Sequence, residues 1–155
     1  MRLARRPSPA MYDGRMPTPL QLDDALVAVY VEALAAIARA DREINPEEAA
    51  RLSQVIAARS RQPVDPEALF FAAVTPEGLA AAVTGRNSYR DAGTSSAREI
   101  GRALVADALE VAEVDGDINA QEGRTILRYA RALGLNSVDV QQITPQLDAW
   151  LDELA

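Results

Sequence analysis

Two short stretches concentrate the residue types that could do chemistry. In "VDGDINAQE" (114–122), Asp115, Asp117, Asn119 and Glu122 fall within eight positions. In "ADREINPEE" (40–48), Asp41, Glu43, Asn45 and Glu48 repeat the spacing. Carboxylate and amide oxygens are ligands for hard cations such as Ca2+, Mg2+ or Mn2+. The same residue types also suit a turn between two helices.

The calcium-loop reading is tested by register. With Ile118 at the eighth loop position and Glu122 at the twelfth, Gly116 takes the sixth and Asp115 the fifth. The third position is then Glu113 and the first is Val111. An EF-hand needs an oxygen ligand at its first position. The other copy puts Ile37 there, and Arg42 where the Gly belongs. Neither copy is an EF-hand.

Helix capping explains half of the pattern. Asn45 and Asn119 suit N-cap positions, and Glu48 and Glu122 stand three residues later, where a carboxylate reaches back to the cap N–H. Ile44 and Ile118 precede the caps and suit a hydrophobic staple. Asp41 and Asp115 are not covered by this account. They fall at or just past a helix C-terminus, where an acid is disfavoured by about 0.3–1 kcal/mol unless compensated. A following helix N-terminus, an Arg or a cation would each compensate. Arg39 and Arg42 are candidates in the first copy. In the second, no Arg lies between Arg102 and Arg124, while Asp107, Glu110, Glu113, Asp115, Asp117 and Glu122 accumulate. The second copy is the better cation site; a solvated acidic turn is the competing reading.

The elements that position these turns read as helices. The chain has 155 residues, enough for one domain with a real core. It is 48% hydrophobic but only 5% aromatic, an Ala-rich balance that favours closely packed helices. Five N-capping residues precede a Pro: Thr18-Pro19, Asn45-Pro46, Asp65-Pro66, Thr75-Pro76 and Thr144-Pro145. Pro suits the first helical position because its missing N–H costs nothing there. Ser96 and Glu99 form a further capping box. The expected helices are roughly 19–40, 46–60, 66–73, 76–84, 96–114, 120–133, 137–142 and 145–154. Leu22, Leu26, Val29, Ala33 and Ile37 mark the apolar face of the first. Ile100, Leu104, Ala108, Val111 and Ala112 mark that of the fifth. Nothing reads as a strand ladder.

The segment 36–52 aligns with 110–126, so that Ala38, Asp41, Ile44, Asn45 and Glu48 match Ala112, Asp115, Ile118, Asn119 and Glu122. The fold class is therefore all-α, a single-domain helical bundle of about seven to eight helices with two pseudo-symmetric halves. The domain spans 19–155, with halves at about 19–84 and 96–155 and a polar linker at 85–95. Residues 1–18 are an Arg- and Pro-rich tail. Trp150, Leu147, Leu151 and Leu154 near the C-terminus either close the core or face another subunit.

Composition narrows the function. The chain has no Cys and no His. That removes thiol and disulfide chemistry, His acid–base catalysis and the usual zinc and copper sites. Net charge is −7, and every basic residue is Arg. Residues 1–20 carry Arg2, Arg5, Arg6 and Arg15 against Asp13 alone, so the body is strongly acidic, which argues against nucleic-acid binding. No apolar run of membrane-spanning length and no secretory h-region is present in the sequence.

"ALEVAEVDGDINAQEGRTILRYARALGLNSVDVQQI" (108–143) closely resembles the second half of TerB-like proteins, the bacterial tellurite-resistance and stress-response family. The shared phrase is a helix ending Ala-x-x-Asp-Gly, an acidic residue, Ile, and a Glu four residues on, with Leu133-Gly134-Leu135 closing the next helix. "IARADREINPEEAARL" resembles the first-half copy and "VDPEALFFAAV" the short helix after it. The resemblance covers about 20–155. It implies an all-helical pseudo-symmetric bundle whose paired turns form an acidic cluster that binds divalent cations. By position that cluster is Asp41, Glu43, Glu48, Asp115, Asp117 and Glu122. Two departures stand out: Arg42 replaces the Gly of the first motif, and Ala120-Gln121 is less acidic than many family versions.

The leading expectation is a non-enzymatic cytoplasmic module whose acidic turns bind a divalent cation (Ca2+, Mg2+ or Mn2+) and dock a partner protein. The alternative is a metal-free interaction subunit of a larger complex, gripping its partner through Arg2, Arg5, Arg6 and Arg15 and through Arg86, Tyr89 and Arg90. Association with a membrane complex is left open. An enzyme is the weakest reading, since a helical di-metal centre normally uses Glu-x-x-His pairs and no phosphate loop or nucleophile elbow is present.

Overall fold

The computed structural model describes residues 20–40, 44–60, 74–87, 97–115 and 118–155. Within these residues six α-helices follow in order: α1 (Asp24–Ala38), α2 (Pro46–Arg59), α3 (Pro76–Asn87), α4 (Ala97–Ala112), α5 (Ala120–Ala132) and α6 (Ser137–Ile143). Two 3-10 segments, Glu113–Asp115 and Asp148–Leu154, follow α4 and α6. Among the described residues there is no strand, and the class is all-α. None of these helices is long and apolar enough to cross a membrane.

α1 and α4 form the centre. α1 buries nine residues, among them Leu26, Tyr30, Leu34 and Ile37. α4 buries ten, including all five apolar positions expected from its period. A helix apolar on so much of its circumference must be covered on several sides. α1 and α4 pack on each other; α2 packs on both, and so does α5. The contact of α1 with α2 is thus matched by that of α4 with α5, and the contact of α4 with α2 by that of α1 with α5. Leu147 is fully buried, and Trp150, Leu151 and Leu154 pack against the core, so the C-terminal segment closes it.

Helix starts follow the capping chemistry where it is described. Thr75 Oγ1 accepts from Gly78 N–H at 2.9 Å, capping α3. The first helix begins later than Thr18-Pro19 suggests: Asp23 is the N-cap and its carboxylate accepts from Leu26 N–H at 3.0 Å. Leu22 lies in an extended bridge beside Ser60, its N–H donating to the Arg59 carbonyl at 2.7 Å, and so belongs to no helix. α3 runs on to Asn87, into the stretch expected as linker. The expected helix at 66–73, and the cap residues Thr18, Asp65 and Ser96, lie outside the described residues, as does the tail.

Thr144-Pro145 does not start an α-helix. Thr144 Oγ1 accepts from Gln146 N–H at 3.0 Å, a local turn, and the 3-10 segment begins only at Asp148. α5 ends in the Schellman pattern: Gly134 takes φ 90°, Leu135 N–H donates to Ala130 and Gly134 N–H to Arg131. Gly101 on α4 meets that cap so closely that a Cβ there would run into the Leu135 side chain.

Candidate functional site

Both capping boxes form as the residues imply. Asn45 Oδ1 accepts from Glu48 N–H at 2.8 Å while Glu48 Oε1 accepts from Asn45 N–H at 3.1 Å. Asn119 and Glu122 repeat this at 2.8 and 3.4 Å. Glu48 and Glu122 are both buried. Two residues of the expected acidic cluster thus have a structural role in starting α2 and α5. Of the others, Asp41, Glu43 and Asp117 lie outside the described residues. Asp115 ends the 3-10 turn after α4, and its side chain is likewise outside the description.

The C-terminal ends of α1 and α4, which lead into the two acidic stretches, lie together. A crevice between the C-terminal ends of α1 and α4 is lined by Leu34, Ile37 and Ala38, by Ala108, Val111 and Ala112, and by Glu122. The first three residues and the next three are repeat equivalents, each pair separated by the same offset as Asp41 and Asp115. The repeat-equivalent ends of α1 and α4 therefore meet at this point. The crevice, of ≈ 10 Å³, is no ligand pocket; its meaning is positional. The 3-10 turn Glu113–Asp115 also packs on α2, the helix that the first junction begins.

The acids upstream of the second turn are matched by arginines of the first half. Arg59 Nε lies 2.8 Å from Asp107 Oδ2 and Nη2 lies 2.9 Å from Oδ1. Tyr30 donates its hydroxyl to the same carboxylate at 2.5 Å. Burial, reinforced by the Asp107 charge, holds the Tyr30 phenol well above its ordinary pKa; the hydrogen bond to Asp107 raises that of Arg59. Arg51 lies 3.6 Å from Glu110. The linear sequence counted Asp107 and Glu110 with an uncompensated acidic run. In the fold both face cations contributed by α2. Asp107 carries a signal of this: it lies on the apolar face of α4, between Leu104 and Val111. An acid there needs a buried partner.

Farther along, Asp139 accepts from Asn136 N–H at 2.9 Å and meets Arg98 and Arg102 at 2.5 Å each, tying α6 to α4. The Asn136 backbone bond, then Arg98 and Arg102, hold its carboxyl below the ordinary range against the opposing effect of burial. Tyr129 donates to the Val74 carbonyl, joining α5 to the start of α3; burial, then the Glu77 charge, pushes its pKa up to about 12. Among the described residues, no three Asp, Glu, His or Cys side chains gather as a metal cluster.

Two helix pairs, α1 with α2 and α4 with α5, thus flank the two acidic stretches of the sequence, with α1 and α4 packed on each other. The profile of the family described as "Tellurite resistance protein TerB" matches residues 24–145. The chain belongs to the TerB family. The match runs from the first residue of α1 to just past α6, so it contains both turns, and the C-terminal 3-10 segment falls beyond it. No curated protein matches the chain, and no solved structure does. The arm residues Arg2, Arg5, Arg6 and Arg15, and Tyr89 and Arg90 of the loop, lie outside the described residues. Arg86 is described only in its backbone, within α3.

Proposed function

We propose that this TerB chain is a non-enzymatic module whose two acidic turns take up a divalent cation and thereby set the docking of a partner protein. The supporting observation is the crevice lined by repeat-equivalent residues, which brings the ends of α1 and α4 to one pole of the bundle. Two acid-bearing turns that start side by side there can share one ion. An acid repeated just beyond a helix C-terminus is disfavoured by the helix dipole, and a cation reverses that.

The donor chemistry fits a hard cation, because carboxylates are the only strong ligands the turns offer. Glu48 and Glu122 are engaged in capping boxes, so Asp41, Glu43, Asp115 and Asp117 are the residues assigned to the ion. With Asp107 and Glu110 matched by Arg59 and Arg51, the acidic excess left to explain in the second copy narrows to the turn itself. Binding to the folded state alone raises its stability by mass action. Thermal denaturation with millimolar Ca2+, Mg2+ or Mn2+ is expected to show a higher Tm that a chelator reverses and Asp115→Asn abolishes. A wild-type Tm indifferent to all three ions would reject the reading.

A further inference from the structure

The C-terminal segment touches both sides of the second acidic turn. On the near side, Gln146 donates Nε2–H to Glu113 Oε2 at 3.2 Å, at the start of the 3-10 turn after α4. On the far side, the Trp150 ring packs against Gly123 in the first turn of α5; a Cβ on Gly123 would fall inside van der Waals contact with the ring. Gly123 directly follows Glu122, which closes the capping box of that helix.

This segment is held by half-buried side chains: Trp150, Leu151 and Leu154 pack against the core. Leu147 at its root is fully buried, but none of the residues from Asp148 to Leu154 is. The segment is 3-10 rather than α-helical and is kinked at Trp150 (φ −122°, ψ 16°). Beyond these apolar contacts, its ties are surface ion pairs: Glu153 with Arg124 at 3.0 Å and with Arg128 at 3.3 Å, and Asp152 with Arg124 at 3.9 Å. A fully buried root followed by a terminal stretch with no fully buried residue is the pattern of a local unit that opens below the global unfolding free energy.

We propose that residues 146–154 act as a strap tying the Glu113–Asp115 turn to the first turn of α5, so that closing the strap orders these two flanks and opening it loosens them. A ligand that prefers the ordered flanks then closes the strap, and by linkage a partner that captures the open strap weakens that ligand. The mechanical coupling stands on the contacts above; its role in cation binding rests on the proposed reading of the turn.

The test uses the full chain and hydrogen exchange. Glu153→Ala removes both arginine pairs without touching the turn. It is expected to speed exchange at the Glu122 and Gly123 amides about threefold or more, with the Leu34 amide of α1 unchanged. Gln146→Ala is expected to do the same at 113–115. Faster exchange confined to 148–154, or spread uniformly over the chain, would overturn the coupling. Trp150 is the only tryptophan, so its emission reports the strap directly. A shift in that emission on adding Ca2+ or Mg2+ supports the strap's role in binding. A cation that raises Tm while the emission stays fixed overturns that role and leaves the cation reading intact. If no cation raises Tm, the cation reading fails and the exchange result alone decides the strap.

Discussion

Arg59 and Asp107, separated by 48 positions, form a two-point ion pair across the halves of the molecule, at 2.8 and 2.9 Å. Arg59 also donates to the Leu20 carbonyl at 3.2 Å, so one guanidinium ties α2 to α4 and to the segment leading into α1. Removing one partner of a buried pair leaves the other charge stranded. Arg59→Ala is expected to destabilise the fold by about 3–5 kcal/mol, measured as a lower urea midpoint. Replacing both partners with apolar residues of similar volume should recover part of that loss.

The two capping glutamates separate a structural role from a ligand role. A Gln amide oxygen accepts the cap N–H much as a carboxylate does. Glu48→Gln and Glu122→Gln are therefore expected to keep near wild-type stability. Asn45→Ala and Asn119→Ala should each cost about 0.5–2 kcal/mol. Chemical denaturation of the four variants makes the comparison.

Asp139 sets part of the acid limb of stability. Its folded pKa lies below the unfolded value, so its contribution is present above the unfolded pKa and is lost as pH falls through the folded one. Wild type should outlast Asp139→Asn at neutral pH. The gap should narrow as pH drops below about 4. Urea midpoints measured from pH 7 down to the acid transition check this. A gap independent of pH would show that the charge is not the source.

Gly123→Ala places a methyl group against the Trp150 ring. Overpacking of this kind costs about 1–3 kcal/mol. Alanine is otherwise the better helix former, so a loss of stability together with a changed Trp150 emission would assign the effect to the ring contact.

What was readable in the sequence is the chemistry that acts over a few residues. Asn45 with Glu48, and Asn119 with Glu122, form the expected boxes because cap and partner are three residues apart. The periodic apolar face of α4 is buried position for position. The departures come from distant contacts. Leu22 fits the helical period of α1, yet it is held extended by the backbone of Arg59 and Ser60 on another element. Thr144-Pro145 has the form of a cap, but Thr144 turns to Gln146, and the chain beyond it follows the seat of Trp150 on Gly123. Asp107 counts as one more acid in a linear reading, because Arg59 and Tyr30 are 48 and 77 positions away. Of the candidate site, the frame was legible through the repeat. That the C-terminal ends of α1 and α4 meet at one pole was not, because it depends on how the two helices pack.

The central claim is that Asp41 and Asp115 belong to one shared cation site at that pole. Isothermal titration of the full chain with Ca2+, Mg2+ and Mn2+ tests it most directly, comparing wild type, Glu122→Gln, and the double variant Asp41→Asn with Asp115→Asn. The account predicts saturable binding of at least one ion to wild type and to Glu122→Gln, lost in the double variant. No binding to wild type, or equal binding to the double variant, would contradict it.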